Sequence, residues 1–368
     1  MQGLQNDIAL QTLIDQVQTA NAAKSPLNIR GGGSKDFYGE APSGEVLDTR
    51  VLAGISSHQP SELVVTARCG TSLLELETAL AEKGQCLPFE PPHFNADSTV
   101  GGMVAAGLAG PSRAQAGSVR DYVLGVTLLN GQGEVMSFGG QVIKNVAGYD
   151  VSRLLAGSLG TLGVILEVSL KVLPIAPATA TLCFQMKEAA AIQQLNEWGG
   201  KPLPLSGSTW WNDTLVLRLS GAVAAVSAAV TKLGGEVVPE DEAAVFWRGV
   251  RDHSDAFFVA AQAAVDAGGE LWRVSVPQTA APLALAGESL IEWGGAQRWL
   301  VTAAGQATAI RAAAKNAGGH ATLFRAANKA SGGAFTPLSE PLAQIHREMK
   351  RSFDPAGIFN PGRLYSGW

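Results

Sequence analysis

The chain has 368 residues, of which 27 are basic and 32 acidic, so its formal net charge is −5. Charged residues make up 16% and hydrophobic residues 46%, which excludes a disordered chain because enough apolar surface can be buried to offset chain entropy. The slight acidity and the lack of lysine and arginine runs argue against a nucleic-acid-binding protein. Glycine is unusually frequent: there are 43, well above the average share of about 7%, without the Gly-X-Y period of collagen.

The N-terminal region and the cysteines together favour a cytoplasmic protein. Met1–Leu10 contains Asp7, has no basic segment or cleavage signal, and no stretch of about 18 apolar residues could span a bilayer. The three scattered cysteines, Cys69, Cys86 and Cys183, fit reduced thiols and lack the spacing of an iron–sulfur cluster or metal site. Any contact with the inner face of the cytoplasmic membrane is therefore expected to occur only through partner subunits.

Hydrophobic periodicity and turn residues predict alternating helices and strands along the chain. In the first part we predict helices over 7–22, 72–83, 100–109 and 151–155, and strands over 27–30, 46–48, 62–67, 122–130, 134–138 and 162–172. In the second part we predict helices over 189–198, 222–233, 307–316 and 340–352, strands over 181–186, 214–219, 271–276 and 321–325, and a hairpin around 294–295. This pattern indicates an α+β fold.

Glycine and tryptophan are distributed unevenly, which suggests a domain boundary. The first 174 residues contain 23 glycines and no tryptophan, whereas seven of the eight tryptophans lie between Trp198 and Trp299. We therefore expect a first domain over 1–174 with two lobes divided near residue 95. A small α+β, ferredoxin-like cap would follow over 175–327, and residues 328–368 would return to the first domain.

The first segment that could carry chemistry is Arg30-Gly31-Gly32-Gly33-Ser34, directly after a predicted strand. Three glycines let the backbone adopt positive φ, above all at Gly32, and turn several N–H groups toward one anion such as a pyrophosphate. The spacing matches neither the Rossmann fingerprint nor the P-loop. The alternative is a flexible turn without a ligand.

The second segment is Ser98-Thr99-Val100-Gly101-Gly102, followed by small residues up to Gly107. Gly101 and Gly102 fall at a predicted helix start, where bare N–H groups and the helix dipole would favour phosphate. Ala105, Ala106 and Gly107 would leave room for a flat ligand against the backbone. Close packing of the helix in a core would use the same small residues.

Two further segments lie later in the chain. Lys144–Asp150 precedes a glycine series at 157, 160 and 163 that leads into a buried strand, although Lys144 and Asp150 could form a simple surface pair. Phe353–Arg363 contains two prolines that restrict φ, so it is expected to be a stiff tail whose Asn360 and Arg363 could reach a site in the first domain.

In order and spacing, these four segments resemble the FAD-binding domain of the vanillyl-alcohol-oxidase or p-cresol-methylhydroxylase type. The resemblance spans about residues 1–174 and returns at 350–363. Within that family the segments Pro91–His93, Gly107–Pro111, Gly117–Asp121 and Lys144–Arg153 are most similar to the FAD-binding subunits of bacterial glycolate oxidase, also called glycolate dehydrogenase. The resemblance implies a two-lobed FAD-binding domain with an α+β cap.

The resemblance also implies which residues would bind FAD. It places the pyrophosphate at Arg30, Gly31, Gly32, Gly33 and Ser34. It places phosphate and flavin at Ser98, Thr99, Gly101 and Gly102, with Pro88, Pro92 and Ala105 nearby. Gly157, Gly160, Gly163 and Val164 would line the adenine and ribose end, Asn360 and Arg363 would close on the flavin ring, and Gly117, Ser118 and Asp121 would shape a turn beside the dinucleotide. Because Ser34 occupies the position where some relatives attach flavin through histidine, FAD is expected to be non-covalent.

The catalytic residues are not evident. Relatives that oxidise 2-hydroxy acids carry a histidine-rich Gly-Asp-Gly-Asn-type segment in the cap, and this chain has no such segment. His93, in the turn expected near the flavin, is a weak candidate base, and Arg273 is a weak candidate for binding a carboxylate. A structural histidine and a solvated or paired arginine are the ordinary alternatives.

The resemblance implies a subunit of a glycolate (2-hydroxy acid) dehydrogenase complex, oxidising glycolate to glyoxylate. Its partners would be a catalytic FAD-containing subunit and an iron–sulfur subunit that receives electrons from the flavin. One alternative is a self-sufficient FAD-dependent dehydrogenase of another hydroxy acid or alcohol. Another is a flavoprotein subunit with an assembly or electron-transfer role and no catalysis of its own.

Overall fold

The computed structural model of the protein describes residues 7–140, 150–329 and 332–367. Its helices are α1 (Ile8–Ala23), α2 (Leu73–Ala81), α3 (Val100–Ala106), α4 (Arg113–Ala116), α5 (Val119–Tyr122), α6 (Glu188–Gly199), α7 (Val223–Leu233), α8 (Glu240–Asp252), α9 (Ala256–Asp266), α10 (Ala307–Asn316) and α11 (Glu340–Phe353). Its strands are β1 (Leu27–Arg30), β2 (Glu45–Asp48), β3 (Ile55–Gln59), β4 (Val64–Arg68), β5 (Gln85–Cys86), β6 (Val123–Leu129), β7 (Val135–Gly139), β8 (Val164–Lys171), β9 (Leu173–Pro174), β10 (Ala178–Gln185), β11 (Leu205–Trp211), β12 (Thr214–Gly221), β13 (Glu236–Val238), β14 (Glu270–Ser275), β15 (Glu288–Glu292), β16 (Gln297–Thr302) and β17 (His320–Ala326).

The first part of the chain is built around a five-stranded antiparallel sheet in the order β3-β4-β8-β6-β7. The central strands β6 and β8 are almost wholly buried, as expected for apolar runs covered on both faces. Beside this sheet, β1 and β2 form a parallel pair, and the backbone leaves β1 at Arg30 directly into the glycines. Helices α1, α2 and α3 contribute buried residues to the same core.

The second part is an eight-stranded antiparallel sheet in the order β13-β10-β12-β11-β15-β16-β14-β17. Helices α6 and α7 bury apolar residues in one cluster with β10, β11 and β12, and α10 does so in another with β14 and β17. An aromatic cluster joins the two parts: Tyr38 and Leu108 of the first part share a core with Phe258, Trp299 and Phe324 of the second. Side chains of the second part therefore pack directly against the segment that follows the glycines.

The C-terminal tail returns to the first part of the chain and adds to its core. Ile358 and Phe359 are buried among the residues of that core. The N–H of Leu27 donates to the carbonyl of Ile358 at 2.7 Å, and the N–H of Asn360 donates to the carbonyl of Leu27 at 2.9 Å. The tail thus runs beside the start of β1 and brings Asn360 close to the glycines.

The α+β fold class is confirmed, with antiparallel sheets and helices packed against them. The predicted boundaries at 174 and 327 stay predictions; the five-stranded sheet uses residues 55–171 and the eight-stranded sheet uses 178–326. The sequence analysis missed β3, β11, α8 and α9, and also the shorter elements α4, α5, β5, β9 and β13. In α8 the three acidic residues of the first turn, Glu240–Glu242, hide the apolar stripe that contains Trp247.

Two predictions from the sequence concern membrane-spanning helices and the segment that begins at Lys144. Across the described ranges, no helix combines the length and the apolar character needed to cross a bilayer. The predicted segment Lys144–Tyr149 lies outside the described residues. Asp150, at its end, forms an ion pair with Arg153 at 2.9 Å.

Candidate functional site: a cleft beside the glycines

A cleft lies where β1, the start of α3, the turn at 159–163 and the C-terminal tail meet. It holds about 100 Å³ of cavity, or about 750 Å³ when measured out to its open mouth. The sequence-predicted residues that line it are Arg30, Gly31, Gly32, Gly33, Ser34, Thr99, Gly101, Gly102, Ala105, Gly160, Gly163, Asn360 and Arg363. Residues from four separate segments therefore surround one space.

The segment Gly31–Ser34, called here the glycine loop, passes so close to its neighbours that no side chain fits at Gly31 or Gly32. A Cβ on Gly31 would lie 2.4 Å from Thr99 Oγ1, and one on Gly32 would lie 1.6 Å from the carbonyl oxygen of Asp97. Only Gly33 of the three has a positive φ, +72°, so the predicted positive φ at Gly32 was wrong. Gly32 is required for close approach of two backbones.

The N–H groups of the glycine loop are available for a ligand. Among the described residues, none accepts a main-chain hydrogen bond from Gly31, Gly32, Gly33 or Ser34, while the next turn closes behind them with Asp36 N–H donating to Gly33 O. Successive free N–H groups on one loop form a concave anion-binding surface. The loop is thus suited to a phosphate-bearing ligand.

The start of α3 does not offer the bare N–H groups that the sequence suggested. The N–H of Val100 donates to Thr71 O at 2.9 Å, that of Gly101 to Cys69 O at 2.8 Å, and that of Gly102 to Thr99 Oγ1 at 3.2 Å. These donors are already satisfied, so the expectation of bare N–H groups at this helix start was wrong, and the assignment of phosphate to these residues stays a prediction. A Cβ on Gly101 would lie 2.6 Å from that of Cys69, so this glycine serves close packing.

Asn360 connects the tail to both walls of the cleft. Its side-chain Oδ1 accepts from Ile29 N–H at 2.7 Å, and its Nδ2 donates to Leu159 O at 2.6 Å. A Cβ on Gly160 would lie 2.7 Å from that same Nδ2, which explains the glycine in the turn. Asn360 also adopts φ +42°, a conformation that asparagine tolerates better than most residues.

We expect Asn360→Ala to lower both thermal stability and affinity for a ligand of the cleft. The substitution leaves Ile29 N–H and Leu159 C=O without partners, at about 1–3 kcal/mol for each buried group. Thermal unfolding followed by circular dichroism measures the loss of stability. Asn212→Ala, another asparagine at positive φ but far from the cleft, is the control; equal losses in the two variants would contradict a special role for Asn360.

Two cations hold the segment that follows the glycine loop, residues 35–40. The guanidinium of Arg363 donates to the carbonyls of Lys35, Asp36 and Glu40, the first two at 3.3 and 3.0 Å. Lys329 Nζ donates to Phe37 O at 2.5 Å and Gly39 O at 3.0 Å. Burial lowers the pKa of Arg363, and it lowers the pKa of Lys329 to about 8. Arg363 therefore lines the cleft while its donors support the backbone.

Several predicted residues do not line the cleft. These are Pro88, Pro92, Ser98, Gly117, Ser118, Asp121, Gly157 and Val164. Val164 is fully buried in the core, and Ser118 and Asp121 form the capping box of α5, whose hydrogen bonds hold the pKa of Asp121 below its usual range despite an opposing effect of burial. Ser98 lies behind the wall, with its Oγ 2.8 Å from Ser34 Oγ.

The two weak catalytic candidates lie apart from the cleft. His93 Nε2 is 2.9 Å from Glu77 Oε2, and the backbone N–H of His93 donates to Asp252 Oδ1. Arg273 lines a separate, small cavity between the two parts of the chain, together with His253, Glu292, Gln297 and Trp299 among others. The structure does not bring His93 and Arg273 together.

This second space, called here the interface cavity, is small and has several polar side chains in its lining. Arg273 Nε, His253 Nδ1 and Gln297 Oε1 are buried without a hydrogen-bond partner among the described residues. Burial lowers the pKa of His253 well below 6.5 and raises the pKa of Glu292 to about 7. The cavity volume is only about 10 Å³, about enough for one water molecule.

Sequence reasoning missed several residues that line the cleft: Lys35, Asp36, Thr49 and Cys69. Lys35 and Asp36 follow the glycines closely, so a wider window around the loop would have included them. Thr49 and Cys69 reach the cleft only through the packing of β2 and β4 behind it. No local pattern in the sequence signals that contact.

Comparisons with known proteins agree with this geometry. The FAD binding domain family matches residues 10–139. The glycolate oxidase subunit GlcE of Escherichia coli is 47% identical over 356 residues, covering 97% of each chain. The glycolate oxidase subunit GlcD of Bacillus subtilis is 33% identical over 151 residues, covering 40% of this chain and 32% of that protein.

Among solved structures, an alkyldihydroxyacetonephosphate synthase superposes with a TM-score of 0.66 at 15% identity, covering 95% of this chain and 74% of the other. At that identity the superposition shows a shared fold only. Fold and cleft define an FAD-dependent oxidoreductase class with a p-cresol-methylhydroxylase-type FAD-binding domain, as the sequence resemblance predicted. Within that class, the chain belongs to the family of glycolate oxidase subunit GlcE.

Proposed function

We propose that this chain binds FAD non-covalently in the cleft and serves as a flavoprotein subunit of a glycolate (2-hydroxy acid) oxidase complex. The observation that carries the proposal is the glycine loop. Its free N–H groups belong to a loop that lines the cleft, and a side chain is excluded at Gly31 by Thr99 Oγ1 and at Gly32 by the backbone of Asp97. The identity of 47% with a glycolate oxidase subunit supports the reaction class.

The described residues fit FAD as a ligand. The glycine loop would receive the pyrophosphate, and Ala105, Gly160 and Gly163 would leave the walls of the cleft flat enough for the rest of the dinucleotide. FAD, when bound, supplies hydride acceptance from a 2-hydroxy acid and release of single electrons. The chain's own residues bind and orient it: Asn360 holds the two walls together, and Arg363 supports the segment behind the loop.

The nucleophiles near the cleft support non-covalent binding. Ser34 Oγ is within hydrogen-bond distance of Ser98 Oγ and Lys35 Nζ. Cys69 lines the cleft, but burial raises the pKa of its thiol to about 12, so the reactive thiolate is not available at neutral pH. Of the described residues that line the cleft, none is a histidine.

We expect trichloroacetic acid precipitation of the purified yellow protein to leave essentially all of the flavin in the supernatant. The absorbance of the supernatant at the flavin maximum, compared with that of the untreated protein, measures the released fraction. Protein-free buffer with added FAD gives the recovery standard. Flavin that stays with the pellet would overturn the non-covalent assignment.

The partners we propose are a second, catalytic FAD-containing subunit and an iron–sulfur subunit that receives electrons. The chain itself has three cysteines, Cys69, Cys86 and Cys183, and all three are free thiols. Because GlcD is a relative of this chain over 151 residues, a complex of two related flavin-binding subunits is a natural arrangement. The complex would lie in the cytoplasm, with contact to the membrane only through its partners.

The interface cavity bears on the two alternative functions. By the measure that gives the cleft about 100 Å³, the interface cavity beside Arg273 has about 10 Å³, so it offers far less room for a ligand than the cleft does. This favours a division of labour in which substrate is oxidised with the partner subunits, over a self-sufficient dehydrogenase. Glycolate turnover with an artificial electron acceptor, measured for the purified FAD-loaded chain and for the co-purified complex, tests this: turnover by the chain alone at the rate of the complex would overturn it.

A further inference from the structure

Lys35 follows the glycine loop directly and lines the cleft with it. Its Nζ donates to Ser34 Oγ at 3.1 Å and to Ser98 Oγ at 3.0 Å. Those two hydroxyls lie 2.8 Å from each other. Lys35 therefore belongs to a three-membered polar cluster that joins the loop to the polypeptide just before α3.

The direction of these hydrogen bonds follows from their partners. Ser98 has one hydroxyl proton, and it donates that proton to His93 O at 2.5 Å. Ser98 Oγ must then accept from both Ser34 and Lys35, and Ser34 Oγ also accepts from Lys35. An ammonium group has three N–H donors, so one donor of Lys35 has no hydrogen-bond partner among the described residues, although the Phe94 ring lies 5.5 Å from Nζ.

The positive charge of Lys35 also lacks a carboxylate partner. Within the described part of the chain no carboxylate oxygen lies within 4.0 Å of its Nζ, and the acidic group that acts on it most is Asp252, which already pairs with Arg251 at 2.7 Å. Burial lowers the pKa of Lys35 to about 8. Buried charges in proteins are normally paired, and no carboxylate among the described residues neutralises that of Lys35 at close range.

The other two cations that line the cleft have partners of kinds that Lys35 lacks. Arg30 Nε pairs with Asp36 Oδ2 at 2.8 Å, and the guanidinium of Arg363 donates to three carbonyls. Arg30, Lys35 and Arg363 are the positively charged residues among those described as lining the cleft. Of the three side chains, that of Lys35 is the one with neither a carboxylate nor a carbonyl partner among the described residues, while the two Nη groups of Arg30 also have no hydrogen-bond partner there.

We infer that the Lys35 ammonium is the counter-ion of the dinucleotide's pyrophosphate, acting beside the free N–H groups of the glycine loop. This rests on the proposed function, since it assigns a charge-specific contact within the same cleft. The loop supplies neutral donors and Lys35 supplies the compensating charge. A charge-assisted hydrogen bond to phosphate is stronger than a neutral one, so Lys35 would contribute strongly to affinity.

The test compares three ligands on the flavin-free protein: FAD, ADP, which carries the pyrophosphate without flavin, and riboflavin, which carries flavin without phosphate. Lys35→Met is expected to weaken binding of both FAD and ADP by about 10- to 100-fold and to leave riboflavin unchanged. Lys35→Arg should restore most of the affinity for FAD and ADP. Lys315→Met, an exposed lysine on α10, is the matched control and should change neither.

The outcomes separate this inference from the proposed function. If wild-type protein binds neither FAD nor ADP, both fail. Suppose that the wild-type protein binds FAD. If the Lys35→Met variant then binds FAD equally well, or if it loses affinity for riboflavin but not for ADP, only the assignment of Lys35 fails. Should Lys35→Met not fold, wild-type affinity for ADP must still fall with added salt while affinity for riboflavin does not; equal salt dependence of the two would overturn the inference.

Discussion

Replacing Gly32 by alanine is expected to yield a folded protein that purifies without flavin. The added Cβ would lie 1.6 Å from the carbonyl oxygen of Asp97, and a backbone atom cannot move aside as a flexible side chain can. Overpacking typically costs 1–3 kcal/mol or more, and here the glycine loop itself must shift, so affinity for FAD should fall by about 100-fold or more. Fluorescence titration of the flavin-free protein with FAD measures this affinity.

Two other glycines make the cause of that loss visible. Gly33→Ala should be milder, because its Cβ would meet the flexible end of the Arg30 side chain at 2.1 Å and the remaining cost comes from φ +72°. Gly199→Val, at the end of α6 with open space around it, is the control and should bind FAD normally. If Gly33→Ala lowered FAD affinity more than Gly32→Ala does, the loop would be constrained mainly by the positive φ at Gly33 and not by the close approach at Gly32.

The glycine loop shows what sequence reasoning can and cannot supply. Three glycines after a strand correctly marked the place where four segments meet, because such a run has few uses in a folded chain. The reason attached to Gly32 was wrong, since φ is a property of one residue while close approach depends on Asp97, about 65 positions further along. Local patterns find such a position, and only the tertiary contact explains it.

The start of α3 shows the opposite error. Thr99, Gly101 and Gly102 do line the cleft, but the helix start was expected to offer bare N–H groups to phosphate. The carbonyls of Cys69 and Thr71, which occupy those donors, lie on another segment that no spacing rule connects to residue 100. A motif can thus identify lining residues and still misassign the chemistry they perform.

The residues that sequence reasoning missed share a physical feature. Lys35, His253 and Glu292 are ordinary side chains whose importance arises from burial without a full set of partners. Burial is a property of the whole fold, so a lysine after a serine, or a histidine at the end of a helix, carries no local sign of it. Desolvation is what distinguishes these residues from exposed ones of the same type.

Replacing Lys350 by methionine is expected to lower the free energy of unfolding by about 3–5 kcal/mol. Lys350 lies in α11 with its Nζ 2.6 Å from Asp354 Oδ2, and it also donates to Thr161 O at 2.8 Å and Phe359 O at 2.7 Å. Both side chains of the ion pair are almost completely buried. The substitution would leave the Asp354 carboxylate buried with no cation to compensate it, which is more costly than losing an exposed pair.

Denaturant unfolding followed by circular dichroism measures this loss, with Arg351→Met, an exposed neighbour on the same helix, as the control that should unfold like the wild type. The double variant Lys350→Met with Asp354→Asn removes both charges and should recover part of the stability, although Phe359 N–H and Ile358 N–H then compete for one amide oxygen. A double variant whose loss of stability equals the sum of the losses in the two single variants would show that the charges are not coupled.

Lys350 also links the turn at Thr161 to the tail at Phe359, the residue before Asn360. Its loss should therefore weaken FAD binding as well. That joint effect would identify the buried ion pair as the anchor that keeps the tail against the cleft.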